Sequence, residues 1–492
     1  MIELSLHEVA GAVAGTVVGA DPAAVVSGPV VIDSRAVEAG SLFVAVAGTR
    51  VDGHDYAAAA VGSGAVAVLA DRPVHAPHVL VADTTLALGA LAGSVRGRLD
   101  RVRVVGLTGS QGKTSTKDLL GQLLGGAGPV VAPAGSLNNE LGVPLTVLRT
   151  DRDTAHLVVE MGARGADHIR YLCDIARPDV GVVLNVGTAH VGEFGSRAAI
   201  ARVKGELVEA LPPDGVAVLN ADDPLVLALR ARTRARVLTF GEDLAADVRV
   251  EGLHVDTGGR PRFTLRAAEG SAPVAMRVLG GHQALNAAAA ATAALALGLS
   301  LPTVAEGLSS AEALSSWRME RTVSPAGVVV VNDAYNASPD AMRAALRTLA
   351  VLGGGPGAAR TVAVLGEMRE LGDSTEAEHV AVGRLAAQLQ VDLLVVVGAQ
   401  ARALQRGARL EPGWTGRQVL VADAGAATDY LRGRLGPGDV VLVKASRAAG
   451  LERVAAALVA DPAVDGPGAG ARDTDTTGDA ETDQIAERAP RR

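Results

Sequence analysis

From Val102 onward the chain alternates short apolar runs, glycine-bearing turns and segments of helical period, and this rhythm limits the folds open to it. Val102–Leu107, His156–Val159, Val180–Leu184, Val216–Leu219 and Val237–Phe240 are strand candidates rich in Val and Leu. Runs of that kind suit strands buried on both faces, and strands linked through helices lie parallel. Residues 247–279 break the rhythm: Val248–Val250, Arg262–Leu265 and Ala275–Val278 alternate at period two, which predicts antiparallel strands before a helix over Gln283–Leu297. A second series begins at Val328 and continues through Thr361–Leu365, Leu393–Val397, Val419–Ala422 and Val440–Val443. Helices are predicted over Pro339–Leu352, Glu376–Leu389, Ala426–Leu435 and Ala448–Val459. The fold class is therefore α/β with largely parallel sheets.

Composition narrows this further. Hydrophobic residues make up 48% of the chain but aromatics only 2%, so the cores must be Ala, Val and Leu. The formal charge of −8 argues against a nucleic-acid partner, which would need a basic face. Cys173 is the single cysteine, which excludes an internal disulfide and points to a reducing compartment; its expected role is that of a small buried hydrophobe. No basic-then-apolar leader opens the chain, and the most apolar stretch, Ala284–Leu299, is shorter than the ~20 residues a bilayer span needs. The expectation is a soluble, cytoplasmic protein with no membrane-spanning segment.

Lysine is scarce. Lys113, Lys117, Lys204 and Lys444 are the only four, and arginine supplies the other 42 cations. An amine can lose its proton and act as a nucleophile, whereas a guanidinium does neither, so each surviving lysine marks a segment worth inspecting. Lys113 ends Gly106-Leu107-Thr108-Gly109-Ser110-Gln111-Gly112-Lys113, followed by Thr114 and Ser115. The glycine spacing is a variant of the phosphate-binding loop, in which backbone N–H groups and the start of a helix face the phosphates. Lys113 would pair with the β and γ phosphates of ATP and Thr114 would hold Mg²⁺. Lys117, one turn on, is expected on a solvated surface. No asparagine precedes any lysine, so the base-reading motif of regulatory GTPases is missing.

The loop resembles that of the Mur ligases, and the likeness extends over most of the chain. Asn138-Asn139-Glu140-Leu141-Gly142-Val143-Pro144 is similar to the family's Asn-Asn-x-x-Gly-x-Pro segment. Glu160 and His190 fall at positions similar to its metal-binding strand ends, and Lys204-Gly205-Glu206 resembles the segment bearing a carbamylated lysine. Gly281-His282 with Asn286, then Arg318, resemble adenine-side and inter-domain positions. Asp333-Ala334-Tyr335-Asn336-Ala337-Ser338-Pro339 and Leu365–Gly372 most resemble the F-type branch. Lys444-Ala445-Ser446-Arg447 is similar to its Lys-Gly-Ser-Arg, with Ala445 in place of Gly, and Ser338 replaces Asn. In the first hundred residues Asp33-Ser34-Arg35 resembles the uridine-diphosphate end.

The resemblance implies three domains: residues 1–99 binding a UDP precursor, 100–320 forming a central P-loop ATPase, and 321–461 forming a Rossmann-like domain. The Gly-, Pro-, Asp- and Thr-rich residues 462–492 are a disordered tail in this reading, dispensable for activity. It further implies ligation of D-alanyl-D-alanine to UDP-N-acetylmuramoyl-tripeptide through an acyl phosphate, with ATP and two Mg²⁺ ions. The implied nucleotide set is Gly109 to Ser115 with Asn286, Arg318, Asp333 and Asn336; the metal set is Thr114, Glu160, His190 and Lys204 as its carbamate. The implied substrate set is Ser34, Arg35, Asn138, Asn139, Lys444, Ser446 and Arg447, and Lys113, Glu160, His190 and Lys204 carry the chemistry. A monomer is expected. Two other readings stay open: an E-type ligase adding a diamino acid, and a non-catalytic P-loop binding module.

Overall fold

A computed structural model describes residues 1–48, 51–133, 135–188 and 191–460. Three main sheets follow one another along the chain. The first has five strands; Val30–Val31, Leu42–Val44, Ala67–Ala70 and His78–Leu80 run parallel, and Thr16–Val18 closes the edge antiparallel. The central sheet has nine strands, and the last has six, of which only the edge strand Glu320–Val323 is antiparallel. The mixed α/β class with mostly parallel sheets is thus as the strand–turn–helix rhythm predicts.

The antiparallel strands of the break join the same central sheet. Val248–Val255 pairs parallel with Arg236–Gly241 at Phe240 and Gly241, then Pro261–Ala267 and Gly270–Ala275 continue antiparallel at that edge. The last of these ends where Ala275–Val278 had been expected to begin. Gly270 to Ala275 complete the pairing, and residues 276–282 lead to Gln283. Two helices also differ: Ala424–Leu431 stops short of Leu435, and Glu452–Ala460 starts after a 3₁₀ turn at Arg447–Ala449.

With so few aromatics, close backbone approach does the packing. The Gln283–Ala296 helix buries nearly all its alanines against the Lys113–Gly125 helix and the central sheet. A helix apolar on every side belongs inside a protein, and small side chains let its neighbours come near. On the other face, one apolar cluster runs from Leu88 and Leu91 of the Thr84–Arg96 helix to Leu172 and Ile175. Buried Arg96 ties that junction by donating to the carbonyls of Ala176, Leu99 and Val102. The first sheet is therefore anchored to the second through a shared core. Among the described residues no helix is long and apolar enough to cross a membrane.

Candidate active site

Three adjacent parallel strands, Val180–Val183, Arg103–Thr108 and His156–Glu160, deliver their carboxyl ends to one place. Ligands of open α/β sheets bind at such strand ends. Gly112 begins the Lys113–Gly125 helix at φ +81°, and a Cβ there would lie 2.4 Å from Asn286 Oδ1. Only glycine meets both demands. Asn185 fixes the loop from the neighbouring strand: its Oδ1 accepts from Ser110 N and Gln111 N, both at 3.0 Å, and its Nδ2 donates to Gln111 O. Lys113 Nζ donates to Gly109 O at 2.9 Å, folded over the loop. Burial pushes this amine down, with Glu160 opposing and Arg318 reinforcing the shift.

Glu160, 1% exposed, ends its strand beside the loop. Thr114 Oγ1 donates to its Oε2 at 3.0 Å, while Ser136 Oγ and Asn138 Nδ2 donate to Oε1 at 2.8 and 2.7 Å. A buried carboxylate needs such partners. Asn139 Oδ1 accepts from Gly142 N, starting the Gly142–Val147 helix. Across the cleft, Arg318 donates to Thr114 Oγ1 at 3.2 Å and stacks 4.0 Å from the Tyr335 ring centre.

Lys204 stands on the Arg197–Glu209 helix, 6% exposed, with no ion pair or hydrogen bond among the described residues. Burial, and secondarily the charge of Lys113, hold its amine well below the usual lysine range. The next two residues explain how the helix is seated. Gly205 admits Arg232, whose guanidinium would collide with a Cβ, and Glu206 accepts from Asp167 N and Arg170 N at 2.8 and 3.0 Å. Glu206 thereby caps the His168–Ala176 helix from outside it.

The third sheet closes the site. Lys444, at the end of Val440–Lys444 and 2% exposed, donates to Asp333 Oδ2 at 2.6 Å and Asn336 O at 2.9 Å. Asp333 Oδ1 accepts from Met319 N, which binds the connecting segment to the strand end. Desolvation lowers the Lys444 amine and Asp333 opposes it. A cavity of 500 Å³ results, lined by Gly109 to Ser115, Asn138, Asn139, Glu160, Lys204, Asn286, Arg318, Asp333, Asn336 and Lys444.

The Mur ligase middle-domain family matches residues 107–294, the Mur ligase glutamate ligase domain 317–447, and the Mur ligase catalytic-domain family 29–93. UDP-N-acetylmuramoyl-tripeptide–D-alanyl-D-alanine ligase of Mycobacterium tuberculosis is 47% identical over 94% of this chain and 98% of its own. The Escherichia coli ligase of the same name is 35% identical over 93% and 99%. This chain belongs to the Mur ligase family. Among solved structures, MurF of Acinetobacter baumannii superposes with a TM-score of 0.83 at 32% identity, covering 93% of this chain and 99% of that one. MurF ligase of Thermotoga maritima in complex with ADP gives 0.75 at 32% identity, covering 88% and 97%.

Not every Mur ligase site residue expected from sequence meets at this cavity. Ser446, buried outside the lining, accepts from Arg369 N, and Arg447 stacks on Trp317 and pairs with Glu452. Ser34 and Arg35 form a separate turn in the first sheet, where Asp33 accepts from the Arg35 backbone and pairs with its exposed guanidinium. His190 lies outside the described residues, as do 461–492. Lys117 is a correction. It is buried, because its side chain crosses to the carbonyls of Pro133 and Gly135 instead of reaching solvent. Cys173 is buried as expected, and burial raises its thiol. Asn185, Ser136 and Tyr335 also line the cavity without having been assigned to it, and His282, read with Asn286 as an adenine-side position, lines it too. Asn185 could have been found from its place after an apolar strand; Ser136 carries no local signal.

Proposed function

We infer that this Mur ligase joins D-alanyl-D-alanine to UDP-N-acetylmuramoyl-tripeptide at the cost of ATP, through an acyl phosphate. The observation that carries this is the convergence of two sheets on one cavity. A phosphate loop with Lys113 faces Arg318, Asp333, Asn336 and Lys444 of the third sheet across a space of 500 Å³. The F-type relatives bear the matching activity in their names and cover nearly the whole chain.

The residues suit the expected metal. Mg²⁺ takes oxygen ligands and keeps much of its coordination for water and phosphate. Thr114 Oγ1 and the Glu160 carboxylate already touch, and no three His, Cys, Asp or Glu side chains converge among the described residues. They would hold one Mg²⁺, which would neutralise charge on the nucleotide phosphates when bound. A second Mg²⁺ would fall to His190 and a carbamate on Lys204. The desolvated amine of Lys204, without an ion pair or hydrogen bond among the described residues, supports the carbamate, since only a neutral amine adds CO₂.

The remaining steps fall to charge and position. Lys113 leaves Gly109 O for the phosphates, and Arg318 neutralises the transferred group from the other wall. Asp333 and Asn336 hold the nucleotide from the third sheet; Lys444 keeps Asp333 in place and, with Ser446 and Arg447, faces the incoming dipeptide. Asn138 and Asn139 serve the tripeptide side, and Ser34 and Arg35 the uridine diphosphate. Closure of the domains, bounded at 1–99, 100–320 and 321–461, brings these groups together. A monomeric, cytoplasmic enzyme completes the proposal.

Incubation with ATP, UDP-tripeptide and separate candidate amines tests it. Phosphate release dependent on D-alanyl-D-alanine is expected. Dependence on a diamino acid would make the chain an E-type ligase, and no release with any amine would leave a binding module.

A further inference from the structure

Of the four lysines, Lys117 alone has no task in the ligase reading, yet its surroundings are the most fully specified. Its side chain is 1% exposed. An ammonium carries three N–H donors. Pro133 O accepts at 2.6 Å, Gly135 O at 3.1 Å, and Asp118 Oδ1 lies 2.5 Å away. A planar guanidinium spreads its donors along a fork and does not focus them on one point. That geometry accounts for lysine at this buried position in a chain that otherwise uses arginine.

The segment so held belongs to neither the Val130–Val131 strand before it nor the Gly142–Val147 helix after it. Further fixed points lie at Glu160 and Gly162. Ser136 Oγ and Asn138 Nδ2 donate to Glu160 Oε1. Asn138 O accepts from Gly162 N at 2.7 Å, and a Cβ on Gly162 would press on Asn138 at 3.1 Å. One end of the segment is thus tied to the phosphate-loop helix and the other to the carboxylate facing Thr114.

We propose that Lys117 is a positioning residue for ligation: by clamping Pro133 and Gly135 it keeps Ser136 and Asn138 on Glu160 Oε1, and so sets the direction of the carboxylate. The proposal rests on the reading of Glu160 as the Mg²⁺ carboxylate. It assigns Lys117 no contact with substrate.

The test uses the full chain as wild type, Lys117→Met, Asn138→Ala and the double variant, with two readouts. Backbone hydrogen exchange without nucleotide or metal should quicken between Gly135 and Asn138 in Lys117→Met, while the Lys113–Gly125 helix keeps its protection. The Mg²⁺ concentration for half-maximal turnover should rise on the order of tenfold, the scale seen when a supporting shell is removed, with kcat changing less. Asn138→Ala should match the Mg²⁺ effect, and the double variant should exceed neither single. Should Lys117→Met not fold, Lys117→Arg, which keeps the charge but not the focus, is read in the same two ways. Unchanged exchange and Mg²⁺ dependence in a folded variant, or effects that multiply in the double, would overturn the proposal. A wild type without Mg²⁺-dependent turnover would sink the ligase reading instead, and the exchange measurement would still decide the tether.

Discussion

Lys444→Met should destabilise the third sheet selectively, and the size of the loss can be worked from its contacts. Lys444 and Asp333 meet at 2.6 Å with side-chain exposures of 3% and 11%. Methionine fills the same channel but donates nothing. The Asp333 carboxylate would keep only Met319 N among its described hydrogen bonds, and Asn336 O would lose a donor. Removing one member of a buried ion pair costs about 3–5 kcal/mol, because the other charge stays desolvated. Both tryptophans lie where they report this loss: Trp317 stacks under Arg447, and Trp414 Nε1 donates to Val391 O at 2.8 Å. Urea unfolding followed by tryptophan fluorescence should therefore move to lower urea. Asp333→Asn in the same chain should restore part of the stability, with a coupling of about 2 kcal/mol, near the top of the range for residues in contact. A Lys444→Met variant within about 1 kcal/mol of wild type, or strict additivity with Asp333→Asn, would refute the claim that this pair locks the wall of the site.

Gly112→Ala combines a left-handed backbone with a Cβ 2.4 Å from Asn286 Oδ1, so nucleotide binding by calorimetry should fall below detection while far-UV circular dichroism is retained. Lys204→Arg should be inactive in the phosphate-release assay, and Lys204→Ala should regain turnover with added short carboxylates; an active Arg variant with no rescue of Ala would remove the carbamate. His282 is held below its ordinary value of 6.5 mainly by desolvation, against the pull of Asp333, and its Nδ1 has no hydrogen-bond partner among the described residues. The unfolded chain then takes up a proton at higher pH than the folded one, so stability should decline as pH falls from 6.5 toward the folded value. His282→Gln should flatten that slope in thermal melts, and an unchanged slope would exclude His282 as its source.

Much of this protein was legible in one dimension. Period, apolar runs and glycine turns are local properties, so the α/β class, most strand positions and the phosphate loop could be placed before any contact was known. Lys113 belonged among these because its proposed phosphate role follows from the residues next to it. Edges were less secure: the strand expected at Ala275–Val278 lies earlier because its pairing with Pro261–Ala267, not its own alternation, sets where it ends. Pairing partners are chosen by the whole sheet.

The lysines divide along the same line. Lys117 looked like a surface residue because helical position predicts direction only where the neighbours are known, and its partners come from 16 and 18 residues away. Lys444 and Asp333 are 111 residues apart, and Asn185 reaches the loop across 75. Short-range sequence determined which chemistry was available; folding decided which groups would be desolvated, which would be paired, and which would face one cavity. Burial and pairing depend on everything packed around a residue, so they exist only once the three sheets are assembled.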